Sequence, residues 1–174
     1  MEPKVAFKVV EEIRQQCRFA QFAWQNLRTS LQSVDAEKTF FYVHAALDHA
    51  LAVARLLWPA REASSARGEW LRKELRVPDD SPLRLREVRE ALERSDESFE
   101  DWLASLENTN YVDMNIMPQM AIGAFKQDTF QRSLDPDTQK LVLWGAACDL
   151  RSVANALREL DGAASTWLRA HTQW

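Results

Sequence analysis

The chain has 174 residues, of which 46% are hydrophobic and 28% are charged, and its formal net charge is −4. These values are typical of one soluble globular domain, and the acidic balance argues against a protein that coats nucleic acid by bulk attraction. Cys17 and Cys148 lie far apart without metal-ligand spacing, so we expect two reduced cysteines in a cytoplasmic protein. The most apolar run, from Ala45 to Trp58, is too short to cross a bilayer, and the N-terminal residues lack a secretory signal. We therefore expect no membrane partner.

Two long amphipathic helices are predicted near the start of the chain. Apolar residues recur at spacings of three and four from Pro3 to Leu31, and again from Ala36 to Trp58, where a proline follows. In the second helix His44 and Asp48 lie one turn apart, away from the apolar stripe. This pair is either a catalytic or ligand-orienting pair, or a satisfied polar pair at a helix edge.

The most highly charged stretch runs from Leu83 to Trp102 and reads LRLREVREALERSDESFEDW. Ser81-Pro82 suits the start of a helix, and the apolar stripe that follows predicts one continuous helix. Arg89, Glu93 and Asp96 fall together on an adjacent face. An exposed arginine–glutamate pair four residues apart contributes about 0.2–0.5 kcal/mol, too little to require so dense a cluster. The cluster is therefore the first candidate site.

The last third of the chain mixes a loop, a hairpin and a helix. The segment from Asn108 to Gln127 has no clean period, and its methionines from Met114 to Met120 indicate either a loop over an apolar surface or a contact site for a protein partner. Short β-prone runs at Thr129–Leu134 and Lys140–Trp144 predict a hairpin. The final helix is predicted from Ala146 to Leu168.

Together these elements predict a single, mainly all-α domain over residues 1–174. We expect an up-and-down bundle of four long helices, with a short helix at Glu69–Arg76 and one β-hairpin, at about 129–144, packed on it. The sequence contains no glycine-rich phosphate loop, HExxH or ExxH pattern, or nucleophile elbow. Three histidines and two scattered cysteines do not form a zinc pattern. We therefore expect neither a metal nor a cofactor.

Three segments resemble a group of bacterial helical proteins. The first, RGEWLRKELRVPDDSPLRLREVREALERSDESFEDW, begins at Arg67 and matches an RG, an LR and a DDSPL turn of that group. In that group of proteins, the turn is followed by the pattern RNxxEHxDE, in which x is any residue. The segments FFYVHAALDHALAVARLLWP and SLDPDTQKLVLWGAACDL are similar to the group's second helix and to its hairpin region. The resemblance covers most of the chain.

The RN-to-EH pattern of that group is similar to the signature of the HEPN superfamily, small helical bundles that often act as metal-independent RNases. The resemblance implies that Arg89 stabilises charge on a scissile phosphate while a histidine moves the proton of the ribose 2′-OH. In this sequence Glu90 takes the asparagine position and Arg94 takes the histidine position. Arginine cannot act as a general acid or base near neutral pH, so the motif lacks its proton-transfer group unless His44 approaches Arg89.

Three hypotheses follow. The favoured one is a catalytically degenerate HEPN-like protein that binds RNA, a nucleotide, a protein partner or a second copy of itself. The second is an active metal-independent ribonuclease of toxin or defence type, and the third is a purely structural helical scaffold. The resemblance also implies a homodimer, since family members commonly pair through the helix that carries the motif. The candidate nucleic-acid-binding residues are Arg86, Arg89 and Arg94, and the candidate catalytic residues are Arg89, Glu93, Asp96 and His44.

Overall fold

The computed structural model describes residues 2–123 and 125–171, except for the side chains of residues 119 and 120. The mainly all-α class predicted from the sequence is confirmed. The described helices are α1 (Pro3–Gln32), α2 (Ala36–Leu57), α3 (Ser65–Glu74), α4 (Arg89–Glu93), α5 (Ser95–Ser105) and α6 (Leu150–Ala170), and the strands are β1 (Arg132–Leu134), β2 (Lys140–Leu143) and β3 (Ala146–Asp149).

Helices α1, α2 and α6 form the core, and each was predicted from its apolar spacing. The first two run antiparallel, because Thr39 near the start of α2 donates to Ser30 near the end of α1, with 3.1 Å between the hydroxyl oxygens. Helix α6 packs on the other side of α1. The fully buried side chains of this core include Val10, Ile13, Cys17, Leu47, Leu57 and Leu157.

Helix α2 is the central helix of the domain. It has 22 residues, and an 18-residue window within it has a mean hydropathy of 1.2. Its length and composition alone would therefore allow it to cross a membrane. Half of that window is buried inside the protein. Several side chains of α2, among them Phe41, Asp48 and Arg55, are exposed in the part of the chain that the structure describes.

The prediction of one continuous helix from Leu83 to Trp102 is wrong. Leu85 adopts a left-handed conformation with φ 52°, and α4 begins only at Arg89. In one continuous helix Leu83 and Leu85 would point about 200° apart, whereas the turn buries them to 1% and 4% exposure. A second break at Arg94, with φ −128° and ψ 52°, separates α4 from α5. Burial of both leucines therefore explains why the helix begins only at Arg89, and the break at Arg94 divides the helical part into two short helices.

The predicted hairpin is present, but it continues into a third strand. Strands β1, β2 and β3 form an antiparallel sheet in that order, in which β3 pairs with β2. Trp144 and Gly145, with φ 47° and 79°, make the two-residue turn between them, and this pair of left-handed residues is typical of a type I′ hairpin. The last helix therefore begins at Leu150 and not at Ala146.

The loop from Asn108 to Gln127 is held against the sheet along part of its length. Val112 and Asn115 form isolated bridges to Phe130 and Ser133. Asp113 accepts two hydrogen bonds from the Arg132 guanidinium, at 2.7 and 2.6 Å. The expected ordered loop is confirmed at these positions.

The loop methionines have different environments. Met114 is partly buried and packs on the core, while Met117 is 48% exposed. The side chain of Met120 lies outside the described residues. The predicted partner contact through Met114–Met120 stays a prediction.

Both cysteines are free thiols, as predicted. Burial raises the pKa of Cys17 and of Cys148 to about 12. Neither thiol is therefore a reactive nucleophile near neutral pH.

Candidate functional site

Arg89 ties α4 to the end of α2. Its Nη1 donates to the carbonyl oxygen of Trp58 at 3.0 Å, and its Nε donates to Glu93 Oε1 at 3.2 Å. Trp58 directly follows α2, where helix carbonyls lack intrahelical donors and carry partial negative charge. Arg72 on α3 donates to the neighbouring carbonyl of Leu57 at 2.6 Å. Two arginines therefore cap the same helix end.

Glu93 belongs to the same structural cluster. Its Oε1 accepts from Arg89 and also from Arg55 Nε on α2, at 3.1 Å. Asp96 makes neither contact, because the break at Arg94 places it on α5. The sequence prediction of a single three-residue face is thus wrong for Asp96 and confirmed for Arg89 with Glu93.

The predicted nucleic-acid-binding arginines do not converge. Arg94 is 60% exposed and forms ion pairs with Glu90 and Glu97. Arg86 donates to the carbonyl oxygen of Asp79 at 3.4 Å, and it lines a groove near the start of α6. No two of Arg86, Arg89 and Arg94 line a common groove among those described. Each of these arginines also has a carboxylate or carbonyl partner within the chain.

His44 and Asp96, in contrast, share one groove. It has a volume of about 530 Å³ and lies where α2, α5 and the sheet meet. A second groove, of about 620 Å³, lies on the loop side of α2 and includes Arg132. His44 and Asp48 line both grooves. Arg89 lines neither groove. These grooves therefore give no support for His44 and Arg89 acting together in catalysis.

The charge at these grooves is mainly negative. Asp48, Asp96 and Glu37 have no hydrogen bond or ion pair with any side chain in the part of the chain that the structure describes. The nearby Arg132 is held by Asp113. Burial lowers the pKa of His44, with Arg132 acting in the same direction and Asp48 opposing it. His44 is therefore neutral at pH 7.

Helix α2 presents one outward stripe between these grooves and α1. We call it the α2 face, and it consists of Glu37, Phe41, His44, Asp48, Ala52 and Arg55. Phe41 is 67% exposed. On α1 beside it, Phe19 is 44% exposed and packs on His49 with ring centroids 5.2 Å apart, and Phe22 is 66% exposed.

The sequence prediction missed this face. In the sequence, Phe19 and Phe22 lie beside the apolar stripe of α1. The available signal was apolar side chains lying outside the buried stripes of two adjacent helices. Large exposed aromatic side chains on two adjacent helices are typical of an interaction surface.

No metal centre is formed by the residues that the structure places. Across residues 2–123 and 125–171, no group of three His, Cys, Asp or Glu side chains could hold a metal ion. The expectation of no metal and no cofactor stays a prediction. The arrangement offers an apolar groove edged by carboxylates and one neutral histidine.

Comparison with protein-family models, with curated proteins and with solved structures gave no match. The HEPN resemblance therefore rests on the quoted sequence segments and stays a prediction. The expected ribonuclease or RNA-binding role, homodimer and cytoplasmic location likewise stay predictions.

Proposed function

We propose that this protein is a non-catalytic binding protein whose α2 face holds a protein partner. The observation that carries the proposal is the 67% exposure of Phe41, which lines the groove of about 620 Å³, together with the 66% exposure of Phe22 on the adjacent helix α1. Aromatic anchors next to apolar grooves are typical of protein interfaces, where they supply much of the binding energy.

The charges favour a protein over RNA as the partner. A surface that binds RNA needs cations to neutralise phosphates. Glu37, Asp48 and Asp96 instead form no ion pair with the described residues, and Arg132 is neutralised by Asp113. A protein partner that places an arginine or a hydrogen-bond donor opposite these carboxylates fits this charge.

The resemblance to the HEPN superfamily agrees with a binding role but is not required for it. Arg94 stands where the motif has its histidine, and an arginine cannot transfer the proton. Arg89 donates both of its recorded hydrogen bonds within the chain, to Trp58 and Glu93. We propose a HEPN-like protein in which Arg89 has a structural role.

The test places a photo-crosslinking amino acid at position 41 of the full chain, in the cells that naturally make it. The matched control carries the same group at Glu159, an exposed residue on α6. We expect a protease-sensitive adduct from position 41 and none from position 159, and we expect Asp48→Lys to abolish the adduct. An adduct destroyed by ribonuclease, or no adduct at position 41, contradicts the proposal.

A second candidate, the metal-independent ribonuclease, is favoured by one observation. His44 and Asp96 line the same groove, and a neutral histidine is competent as a general base. If this candidate is correct, the purified protein cleaves RNA in the presence of EDTA and leaves cyclic phosphate ends. His44→Ala would abolish that cleavage, and Arg94→Ala would not. The binding proposal predicts no cleavage by any of the three proteins.

A further inference from the structure

Along the α2 face, the order of charges and side-chain sizes is complementary to the same order taken in the opposite direction. Positions equally distant from the middle of the helix, near residue 46, carry opposite or matching side chains. Glu37 and Arg55 each lie nine positions from residue 46, and His44 and Asp48 each lie two positions from it, while Phe41 and Ala52 lie five and six positions away. An interface between two identical subunits related by a twofold axis requires such self-complementarity, because each contact occurs twice in opposite directions.

We propose that the partner of the α2 face is a second copy of this chain, with the two α2 helices packed antiparallel. The proposal rests on the proposed function, because it names the occupant of the same surface. It uses α2 and α1, whereas the family resemblance implies pairing through the helix that carries the motif.

The outer pair of contacts is electrostatic. Glu37 is exposed and has no ion pair among the placed residues, and in an antiparallel arrangement it meets Arg55 of the second copy. Arg55 is 54% exposed and uses its Nε for Glu93, so its two Nη groups remain for a second carboxylate. The stripe from position 37 to position 55 spans about 27 Å, at about 1.5 Å per residue.

The central contacts combine a polar pair with apolar packing. His44 and Asp48 make no hydrogen bond with the residues that the structure describes. Each can bond to the other residue's copy across the twofold axis. The bulky Phe41 faces the small Ala52, so the two helices can approach closely.

Helix α1 adds apolar area on one side of the axis. Phe19 lies level with His49, close to the middle of α2, and Phe22 is one turn further along the same face. A twofold axis perpendicular to the α2 helices brings the second copy's Phe19 and Phe22 to the same side. The result is an aromatic centre with charged pairs at its edges, which is the usual anatomy of an interface.

The experiment measures the mass of the purified full chain in solution by light scattering and by sedimentation. We expect the wild type to have twice the chain mass of 20.1 kDa. Glu37→Arg and Arg55→Glu each place two like-charged pairs across the axis, so each alone should raise the dissociation constant about tenfold or more. An equimolar mixture of the two variants should restore the dimer, because both outer pairs then have opposite charges. Glu159→Arg, with the same charge change on α6, should have no effect.

Three results would overturn the inference. They are a wild type that is monomeric at every concentration, a dimer that Glu37→Arg leaves unchanged, and a mixture that stays as weak as its components. If the wild type is monomeric while position 41 still crosslinks to a protein in cells, the proposed function stands and the second copy does not. If Arg55→Glu fails to fold, Glu37→Arg and Phe41→Ser provide the test, since neither Glu37 nor Phe41 makes a hydrogen bond or ion pair with another described side chain.

Discussion

Arg89 joins two elements through one side chain that is only 18% exposed. It supplies donors to the carbonyl oxygen of Trp58 and to the carboxylate of Glu93, which also accepts from Arg55. Removal of this guanidinium leaves a helix-end carbonyl and a carboxylate with fewer partners. Hydrogen bonds to charged groups are worth about 1.5–3 kcal/mol, which is a large share of the stability of a small domain.

Arg89→Ala should therefore lower the free energy of unfolding by about 1.5–3 kcal/mol. Urea denaturation followed by circular dichroism measures the change. Arg94→Ala is the matched control, because Arg94 is 60% exposed and its ion pairs lie on the surface, so its loss should cost less than about 0.5 kcal/mol. Equal losses for the two variants would refute the structural role of Arg89.

At the residue scale, spacing alone predicted the contact of Arg89 with Glu93. It did not predict Arg55 or Trp58, since contacts between separate helices depend on how those helices pack. Asp96 was placed with the cluster only because the helix was assumed to continue. His44 was a residue of the right type, and its groove depends on three elements that the sequence could not bring together.

Helix α3 lies against the end of α2 because Gly68 has no side chain. A Cβ added at Gly68 would lie 2.6 Å from Pro59 Cδ and 2.7 Å from the carbonyl oxygen of Leu57, whereas a Cβ at Gly162 on α6 would meet nothing within 4 Å. Both glycines lie inside helices, so they have the same kind of backbone conformation. The two sites differ in the free space around an added Cβ.

Gly68→Ala should therefore destabilise the protein by about 1–3 kcal/mol through overpacking. Gly162→Ala should stabilise it by about 0.5–1 kcal/mol, because alanine loses less backbone entropy than glycine in a helix. Thermal and urea unfolding of the two variants provide the measurement. Effects of the same sign would mean that α3 does not pack on α2 at this distance.

The start of α6 depends on Asp149. Its carboxylate accepts from the backbone nitrogen and the hydroxyl of Ser152, and the side-chain hydrogen bond to Ser152 is the largest cause that lowers the pKa of Asp149 below its ordinary value of 3.8. A carboxylate with a lowered pKa stabilises the folded state above pH 3.8. That contribution is lost as the pH falls through the folded-state value.

Asp149→Ala should cost about 1 kcal/mol near pH 7, the usual value of an N-cap. The difference from the wild type should shrink as the pH is lowered through the range below 3.8. Urea titrations across pH 2.5 to 7 would measure both effects at about ten pH values. Asp137→Ala, in the exposed hairpin turn, is the control and should cost less. A difference that grows in acid would contradict the capping role.

The element scale also explains the two errors in the sequence prediction. Helices α1, α2 and α6 were predictable because their apolar spacing persists over many turns. The charged stretch was taken as one helix because Leu85, Val88 and Leu92 continue the spacing, although Leu83 does not fit it. The third strand was missed because Ala146 and Ala147 favour a helix, while the Trp144-Gly145 turn decides the conformation.

At the scale of the whole molecule, the buried core was predictable and the binding face was not. An amphipathic pattern separates the inner side of a helix from its outer side. It does not reveal that α1 and α2, which carry the exposed Phe22 and Phe41, become neighbours in the fold. That juxtaposition depends on the antiparallel packing of α1 on α2, which is a property of the folded chain.

The most direct test of the account is the accessibility of the α2 face in solution. A cysteine placed at Ala52 should react slowly with a thiol reagent at high protein concentration and faster on dilution, because the second copy covers it only when bound. A cysteine at Glu159 should react at one rate throughout, and the native thiols should contribute little because their pKa is about 12. A reaction rate at position 52 that does not change with protein concentration would contradict the account.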